Sequence, residues 1–165
     1  MAQDCALVYT DANGIKGESF VATLGNEDVA DASEVMEVHH AIASPRDRAS
    51  GQATGRRFHE PLKVLKRIDK ATPLLFQALV ENQIHPKIEL KWFRPSPADG
   101  STEYYFVIML ENASVINIAP ELRFTRDPES ANYPPLEWVE FVYQKVTYEW
   151  KDGGIIYTDD WNTAV

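Results

Sequence analysis

Four histidines are the side chains best suited to metal binding or acid–base catalysis: His39, His40, His59 and His85. Because His39 and His40 are adjacent on a predicted strand, they point to opposite faces and cannot share one metal ion as an i, i+4 helical pair does. His59 begins a His-Glu-Pro sequence that lacks the second histidine of a zinc-protease helix, and proline would break such a helix. The sequence therefore predicts no metal site and no cofactor, and strand or loop positions for the histidines.

Patterns for nucleophilic or phosphate chemistry do not support an enzyme either. No serine lies in the Gly-x-Ser-x-Gly sequence that presents a hydrolase nucleophile. Gly51 and Gly55 lead into two arginines rather than into the Lys-Ser/Thr pair of a phosphate loop. Acid–base pairs such as Asp159 with Asp160, or Asp127 with Glu129, would need a pocket that raises one pKa. We predict no catalytic residue and no enzymatic activity.

Alternating hydrophobicity predicts that strands position nearly all of these residues. The predicted strands are residues 5–10, 34–43, 58–68, 86–94, 102–119, 137–150 and 154–158. One helix is predicted at residues 72–82, with Thr72 as its N-cap and Pro73 at the first helical position. Residues 44–55 form an extended loop, of a size that is usually functional or disordered. The predicted fold class is mainly β: an antiparallel β-barrel of two packed sheets with one flanking α-helix.

The last third of the chain carries the clearest strand pattern. Apolar residues alternate at positions 139, 141 and 143, and then at 146, 148 and 150. This one-residue slip in phase predicts a β-bulge at Gln144 and Lys145. The turn at 151–154, with its paired glycines, then predicts a hairpin that ends in a short strand.

Two predicted strands differ in how they are covered. The strand at 34–43 has one face predicted to be buried, consisting of Met36, Val38 and Ile42. Glu37 and His39 share its other face, which is predicted to be wet. The strand at 102–119 is apolar on both faces between residues 104 and 110, as expected of a strand covered by the core and by a second layer or a partner.

Length and composition limit the class of protein. A chain of 165 residues is long enough to bury its own core, and one domain is predicted, residues 1–165. The single cysteine, Cys5, lies in an apolar run and is predicted to be a buried hydrophobic residue. There is no signal-peptide pattern, and no apolar run reaches the roughly 20 residues that cross a bilayer. We expect synthesis in the cytoplasm, no membrane partner, and, for any export, a dedicated machine.

The charge of the chain is negative overall and segregated along the sequence. The net charge of −9 argues against nucleic-acid binding, which requires positive charge at the phosphates. Residues 1–37 carry one basic and eight acidic side chains, whereas residues 46–70 carry eight basic and three acidic ones. These charges can be solvated faces. Segregation of this kind also suits a basic surface that meets an acidic surface of the next subunit, a head-to-tail contact that forms rings or filaments.

Four stretches of the chain resemble the Hcp family, the hemolysin-coregulated proteins that build the inner tube of the bacterial type VI secretion system. They are Ile15-Lys16-Gly17-Glu18-Ser19, Thr54-Gly55-Arg56 with residues 61–68, Asp69-Lys70-Ala71-Thr72-Pro73-Leu74-Leu75, and the hairpin at residues 139–161. The third is the most specific, because Ile-Asp-Lys at a strand end followed by Ser/Thr-Pro-Leu-Leu at a helix start is typical of the family. Residues 20–33 depart from the family pattern, with a longer acidic segment.

The resemblance implies a tube subunit that forms stacked homohexameric rings and leaves the cell through the type VI apparatus. The implied partners are other copies of this chain, the sheath and spike proteins of the apparatus, and small effectors held in the ring lumen. The strand at 34–43 would face the lumen, which makes Glu37 and His39 candidate cargo contacts. The loop at 44–55 corresponds to the family's extended loop, which contacts neighbouring subunits or rings. The candidate interface residues in and beside it are Arg46, Arg48, Arg56 and Arg57.

A second interpretation remains open: a monomeric β-rich module that binds a small ligand or a carbohydrate. Such a module requires clustered exposed aromatic side chains. The candidates are Trp138, Trp150, Tyr157 and Trp161. They alternate with polar residues on predicted strands, so core packing explains them more simply.

Overall fold

Strands dominate the molecule, as the alternating hydrophobicity predicts. A computed structural model describes residues 3–163. The strands there are β1 (Asp4–Asp11), β2 (Thr23–Leu24), β3 (Glu27–Asp28), β4 (Ser33–His39), β5 (Ile42–Ala43), β6 (Phe58–His59), β7 (Leu62–Arg67), β8 (His85–Pro95), β9 (Thr102–Glu121), β10 (Leu136–Val142), β11 (Lys145–Trp150) and β12 (Ile155–Asp160). The one helix among these residues is α1 (Thr72–Val80). The prediction of a mainly β fold with one helix is confirmed.

The main sheet is antiparallel and closes on itself. Its eight strands run in the order β10-β7-β4-β1-β8-β9-β11-β12, and β9 also pairs with β10. The long strand β9 makes this closure because one of its edges is shared: residues 106–111 pair with β11, and residues 114–121 pair with β10. The hairpin of β11 and β12 extends beyond the closed ring, and β12 forms its outer edge. Two short pairs, β2 with β3 and β5 with β6, lie apart from this sheet.

The interior of the closed sheet holds the main apolar core. Leu7, Val64, Leu90 and Phe141 are among its fully buried side chains. Burial of side chains of this size stabilises the fold by about 1.5–3 kcal/mol each. The helix α1 packs on this core, to which it contributes the buried residues Leu75 and Ala78.

One predicted buried face is wrong, because β4 contains a bulge. Val35 pairs with Lys66 and Glu37 pairs with Leu65, so Met36 is an extra residue opposite β7. This bulge turns Met36 outward, where it is 43% exposed, and leaves Val35 as the buried residue. Ile42 is also exposed, because the predicted strand at 34–43 ends at His39 and Ile42 belongs to the separate strand β5.

The predicted bulge at Gln144 and Lys145 appears as a break between β10 and β11. Neither Tyr143 nor Gln144 belongs to a strand, and the apolar phase changes across them. On the facing strand, Asn112 adopts a positive φ of 52° and its side-chain amide donates to Gln144 Oε1 at 2.7 Å. The predicted turn at 151–154 is confirmed, with both Gly153 and Gly154 in the left-handed region.

The helix begins and ends differently from the prediction. Ala71, not Thr72, is the N-cap, and it makes no side-chain capping bond. The Thr72 hydroxyl is already engaged, because it donates to Glu137 at 2.8 Å and accepts the Asp69 amide at 3.2 Å. The helix stops at Val80 because Asn82 adopts a positive φ of 52°, and the next amide, of residue 83, donates back to the Ala78 carbonyl. Within residues 3–163, no helix is long and apolar enough to span a membrane.

A buried charged cluster fixes the chain just before α1. Lys66 is fully buried and its ammonium contacts both Glu137 and Asp69. Asp69 also accepts the Ser33 hydroxyl at 2.6 Å, and the Ser33 and Tyr9 hydroxyls are 2.7 Å apart. Four strands and the segment before the helix therefore meet at one set of polar contacts. These contacts offset part of the cost of burying the charges.

The acidic segment at 20–33 forms a small separate layer. Its short strands β2 and β3 form a hairpin whose turn contains Gly25 at a φ of 53°. Val29 and Ala32 are buried there against Phe93 on β8. This segment therefore covers the outer side of β1 and β8.

Candidate functional site

Residues 42–59 form an ordered ribbon, which we call the arm. At its base, Ile42 pairs with His59 and Ala43 with Phe58. Further out, Arg46 and Ala53 form a β-bridge, and the Thr54 amide donates to the Pro45 carbonyl at 3.0 Å. The turn at its tip is held by the Asp47 carboxylate, which accepts the Ser50 amide and hydroxyl, both at 2.7 Å. Backbone pairing orders the arm although residues 46–56 are exposed.

The four arginines proposed as interface residues have different surroundings. Arg57 is tied to β12: it donates two hydrogen bonds to Asp159 at 2.6 Å and one to the Asp160 carbonyl at 2.9 Å. Arg56 donates to the Trp161 carbonyl at 3.1 Å. Both therefore fasten the base of the arm to the end of the chain.

The other two arginines belong to the outer part of the arm. Arg46 donates to the Gly51 carbonyl at 3.2 Å, inside the arm itself. Arg48 is exposed in the turn at the tip. Of the four, Arg46 and Arg48 are thus the better placed to meet another molecule.

Five side chains under the arm form a single row of hydrogen bonds, which we call the relay. It begins at the half-exposed Tyr148 hydroxyl, which contacts His40 Nδ1. His40 Nε2 lies 2.6 Å from the Tyr143 hydroxyl, and Tyr143 lies 2.8 Å from His59 Nδ1. His59 Nε2 lies 2.7 Å from Asp159 Oδ2, next to Arg57. The relay joins the base of the arm to β11, β12 and the break between β10 and β11.

The surroundings of the relay shift the pKa values of several of its side chains. Burial lowers the pKa of His40 from its ordinary 6.5 to about 4, with a further contribution from His59. Burial also raises the pKa of the Tyr143 and Tyr148 hydroxyls. The hydrogen bond from Arg57 holds the pKa of Asp159 below its ordinary value of 3.8. At neutral pH, His40 is therefore an uncharged hydrogen-bonding group and Asp159 is a carboxylate.

The sequence analysis did not predict that the five relay side chains meet. It predicted correctly that His39 and His40 point apart, since His39 contacts Glu37 while His40 contacts Tyr143. It gave no sign that His40 and His59 meet at one tyrosine. The only local signal was the phase slip at Tyr143, which marks an irregular strand segment. Within residues 3–163, no group of three or more His, Cys, Asp or Glu side chains is arranged to hold a metal ion.

Glu37 and His39, the predicted cargo contacts, lie on an exposed face of the sheet. Their side chains contact one another as an ion pair when His39 is protonated. The His39 ring lies 6.0 Å from the Trp138 ring on β10, and Lys63 Nζ lies 4.6 Å from the centre of that ring. Strands β4, β7 and β10 thus present a face of mixed charge around one tryptophan.

The outer strand β12 is exposed and apolar. Ile155, Ile156 and Tyr157 are 70%, 56% and 75% exposed. This strand pairs with β11 on one side only, within the part of the chain that the structure describes. Beside it lies an open hollow of about 370 Å³ that is bordered by the arm and the terminal hairpin; its lining is Ile42, Arg57, Val146, Tyr148, Tyr157 and Asp159. An apolar edge strand next to a hollow is a site for pairing with another chain.

The aromatic side chains proposed for ligand binding do not form one platform. Trp138 lies beside His39 and Lys63, Trp150 beside Arg94, and Trp161 stacks on His59. Each of the three tryptophans thus packs on polar neighbours in a different part of the molecule. Tyr157 projects separately from β12.

Comparisons of the sequence with known proteins show to which family the chain belongs. The sequence profile of the family described as "Type VI secretion system effector, Hcp" matches residues 9–150. The chain belongs to the Hcp family. The Pseudomonas aeruginosa protein named Major exported protein is 36% identical to it over 148 residues, which cover 90% of this chain and 86% of that protein.

Two solved structures show how closely the fold follows that of the Hcp family. Hcp1 from E. coli EAEC 042, in a double-mutant form, has a TM-score of 0.77 and 31% identity, with 98% of this chain and 99% of that chain covered. The secreted protein Hcp3 from Pseudomonas aeruginosa has a TM-score of 0.75 and 27% identity, with 98% and 100% covered. The barrel, the helix and the terminal hairpin described above are thus those of an Hcp protein.

Proposed function

We propose that this chain is a structural subunit of the inner tube of a type VI secretion system. Copies of the chain associate head to tail into homohexameric rings, and the rings stack into a tube inside the sheath and beneath the spike. The chain is made in the cytoplasm and leaves through the apparatus without a signal peptide. Its membership of the Hcp family and its similarity to a protein named for export support this proposal.

The observation that carries the proposal is the apolar edge strand β12. Three consecutive residues, Ile155 to Tyr157, are mostly exposed on a strand whose second edge pairs with no other strand of residues 3–163. Natural proteins protect such edges with charges, proline or a covering element. The charged residues of β12, Asp159 and Asp160, lie at its far end, where Arg57 binds the Asp159 carboxylate and the Asp160 backbone carbonyl. A second copy of the chain is the partner that covers this edge in a ring.

The outer part of the arm supplies a second contact to a neighbouring subunit or ring. Arg46 and Arg48 place positive charge on an exposed and ordered ribbon of a chain whose net charge is −9. A basic ribbon of this kind suits the acidic surface of the next copy. Backbone pairing within the arm holds these two arginines on the surface, outside the barrel.

A charge placed on the edge strand tests this assignment. We expect Ile155→Lys to remove ring formation, because an ammonium group at an unpaired edge opposes pairing with another chain. The control is Phe124→Lys, at a residue that is 71% exposed, close to the 70% of Ile155, and lies after the end of β9. Native mass by light scattering would give rings for the control and smaller species for Ile155→Lys. Rings of equal stability in both variants would contradict a role of β12.

The face around Glu37 and His39 is our candidate for contact with small effectors in the ring lumen. It is exposed, and it combines acidic, basic and aromatic groups within one patch of sheet. Charge reversal by Glu37→Lys with His39→Glu keeps an opposite-charge pair but inverts its order, whereas Glu37→Lys alone makes the patch basic. We expect both to lower the protection of a co-expressed effector while hexamers still form. Unchanged effector stability with intact hexamers would remove these residues from cargo binding.

The monomeric ligand-binding alternative receives no support from the arrangement of the aromatic residues. Its candidate tryptophans lie at three separate places, each packed on a polar neighbour. A ligand platform needs them side by side on one exposed surface. The tube subunit is therefore the function that the geometry favours.

A further inference from the structure

The number of hydrogen atoms on the relay side chains limits which hydrogen bonds can form at the same time. Tyr143 is 4% exposed, and its hydroxyl contacts two imidazole nitrogens, His40 Nε2 and His59 Nδ1. A hydroxyl carries one hydrogen. Tyr143 therefore makes both contacts and also uses its own hydrogen only when it donates to one histidine and accepts from the other.

This rule makes the hydrogen bonds between Tyr148 and His59 all run in one direction or all in the other, while His59 donates to Asp159 in both cases. A neutral His40 carries one hydrogen, so it donates to one of its two tyrosines and accepts from the other. In one direction, Tyr148 donates to His40, His40 to Tyr143, Tyr143 to His59, and His59 to Asp159. In the opposite direction, His59 donates through Nδ1 to Tyr143 and still donates through Nε2 to Asp159. The second direction requires a positively charged His59, so the two differ by one proton.

A second added proton breaks the relay. If His40 and His59 are both charged, their nitrogens that face Tyr143 both carry hydrogen, and the Tyr143 hydroxyl loses its acceptor. A buried donor without an acceptor is costly, and two positive charges then flank one hydroxyl. The lowered pKa of His40, to about 4, agrees with this geometry because burial and His59 both oppose its charging.

Two of the neighbouring carboxylates, those of Asp159 and Glu37, are already engaged with other side chains. Asp159 is already paired with Arg57, and the pKa of Asp159 lies below 3.8, so it stays ionised above that pH. On the other side of His40, an open groove is also lined by Asp4, Cys5 and Glu37. Burial raises the pKa of the Cys5 thiol, which stays uncharged. Glu37 is engaged with His39, outside the relay.

We propose that the relay is a proton-operated latch, which holds the base of the arm on the terminal hairpin at neutral pH and loosens it when acid adds the second proton. His40 lies just before the arm and His59 is its last residue. Tyr148 and Asp159 lie on the terminal hairpin, and Tyr143 lies in the break before it. The consequence for assembly rests on the proposed function, since a loosened arm weakens rings only if the arm contacts neighbours.

The sign of the pH dependence follows from His40. Opening of the arm hydrates His40 and returns its pKa toward 6.5, so between pH 6.5 and about 4 the open arm binds more protons than the closed arm. Closure is therefore fully favoured above pH 6.5 and is lost progressively as the pH falls toward 4. One pKa unit corresponds to about a ten-fold change in the opening equilibrium.

Amide hydrogen exchange of the full-length protein tests the latch. The reporters are amides at and next to the base of the arm, such as that of Glu60, which donates to the Ala41 carbonyl at 2.9 Å. After correction for intrinsic exchange, we expect their protection to fall about ten-fold or more from pH 6.5 to pH 4.5, while β8 and β9 stay protected. In His40→Gln, where an amide supplies one donor and one acceptor without titrating, we expect no such fall.

The control is His39→Gln, which alters an exposed histidine outside the relay and should retain the wild-type pH dependence. NMR titration of the wild-type imidazoles gives a second readout that does not depend on any variant. Titration of His40 near 6.5, or arm protection that does not change with pH, would overturn the latch. Light scattering at pH 7.5 separates the two proposals: a monomer there contradicts the tube subunit but leaves the exchange result valid.

Discussion

Arg57 donates two hydrogen bonds to Asp159, from Nε and Nη2, each at 2.6 Å. The two residues lie 102 positions apart, on the arm and on the last strand. Their planar, two-pronged contact is the geometry in which a guanidinium binds a carboxylate best. The same carboxylate accepts from His59, so one side chain fixes both the arm and the relay.

We predict that Arg57→Gln loosens the arm more than it destabilises the barrel. The variant loses both bonds to Asp159 and leaves the carboxylate with His59 as its remaining side-chain partner in the arm. Limited proteolysis should show faster cleavage within residues 44–55, with little change in the melting temperature. Arg48→Gln, at the exposed tip, is the matched control and should be cleaved at the wild-type rate. Equal cleavage of both variants would show that the ion pair does not hold the arm.

The buried ammonium of Lys66 gives a prediction about stability. Its replacement in Lys66→Met leaves Glu137 and Asp69 as neighbouring buried carboxylates without their cation. We expect the free energy of unfolding to fall by about 3–5 kcal/mol, as when one partner of a buried ion pair is removed. Urea denaturation measures the change, and Lys63→Met, on the outer face of the same strand, should cost less than about 1 kcal/mol.

A second substitution separates charge from packing at that cluster. Glu137→Gln in the Lys66→Met background removes one of the stranded charges, so it should recover part of the lost stability. Glu137 Oε2 has no hydrogen-bond partner among residues 3–163, so the loss of its charge breaks no contact on that side. If the double variant is less stable than Lys66→Met, the carboxylate is stabilised by something other than Lys66.

We predict that a side chain at position 17 destabilises the fold, because an added Cβ would clash with neighbouring atoms. A Cβ there would lie 2.7 Å from the carbonyl carbon and oxygen of Ala32 and 2.5 Å from Ser33 Oγ. Backbone atoms cannot move aside cheaply, so Gly17→Ala should destabilise the fold by about 1–3 kcal/mol. At Gly55, the nearest atom to an added Cβ is Pro45 Cγ at 3.5 Å, an ordinary contact. Gly55→Ala is therefore the control and should be neutral or slightly stabilising in the same urea measurement.

The sequence predicted those features of the fold that depend on local alternation. The turn at 151–154 follows from its paired glycines, and the exposure of Glu37 and His39 follows from period-two alternation. The prediction failed at Met36, where a bulge in β4 reverses the phase without any glycine or proline to mark it. A bulge is decided by pairing with β7, which lies more than twenty residues further along the chain.

The candidate site was less predictable than the fold. Thr72 has the residue type of an N-cap, but its hydroxyl is taken by Glu137, 65 positions away. His40 and His59 meet only because Tyr143 reaches both from a strand break more than eighty positions further along. Contacts between distant segments leave no periodic trace, so neither could be read from one sequence. The loop at residues 44–55 was predicted to be functional or disordered. The structure shows that backbone pairing orders it.

Shortening of the arm should separate assembly from folding. Replacement of residues 46–51 by an Asn-Gly turn removes Arg46, Arg48 and the tip, while the base pairing of β5 with β6 remains. We expect circular dichroism and the melting temperature to stay near those of the wild type, and native mass to shift from rings toward monomers. An unfolded spectrum would contradict the independence of the arm. Unchanged rings would remove the tip from the subunit contact.

The most direct test of the tube-subunit proposal is the native mass of the purified full-length protein, measured by light scattering at moderate and at high salt. We predict a mass of six copies at moderate salt. We also predict partial dissociation at high salt, because salt screens the contact between basic and acidic surfaces while the apolar contact at β12 remains. A monomer at every protein concentration and every salt concentration would contradict the ring, and with it the proposal that this chain builds a tube.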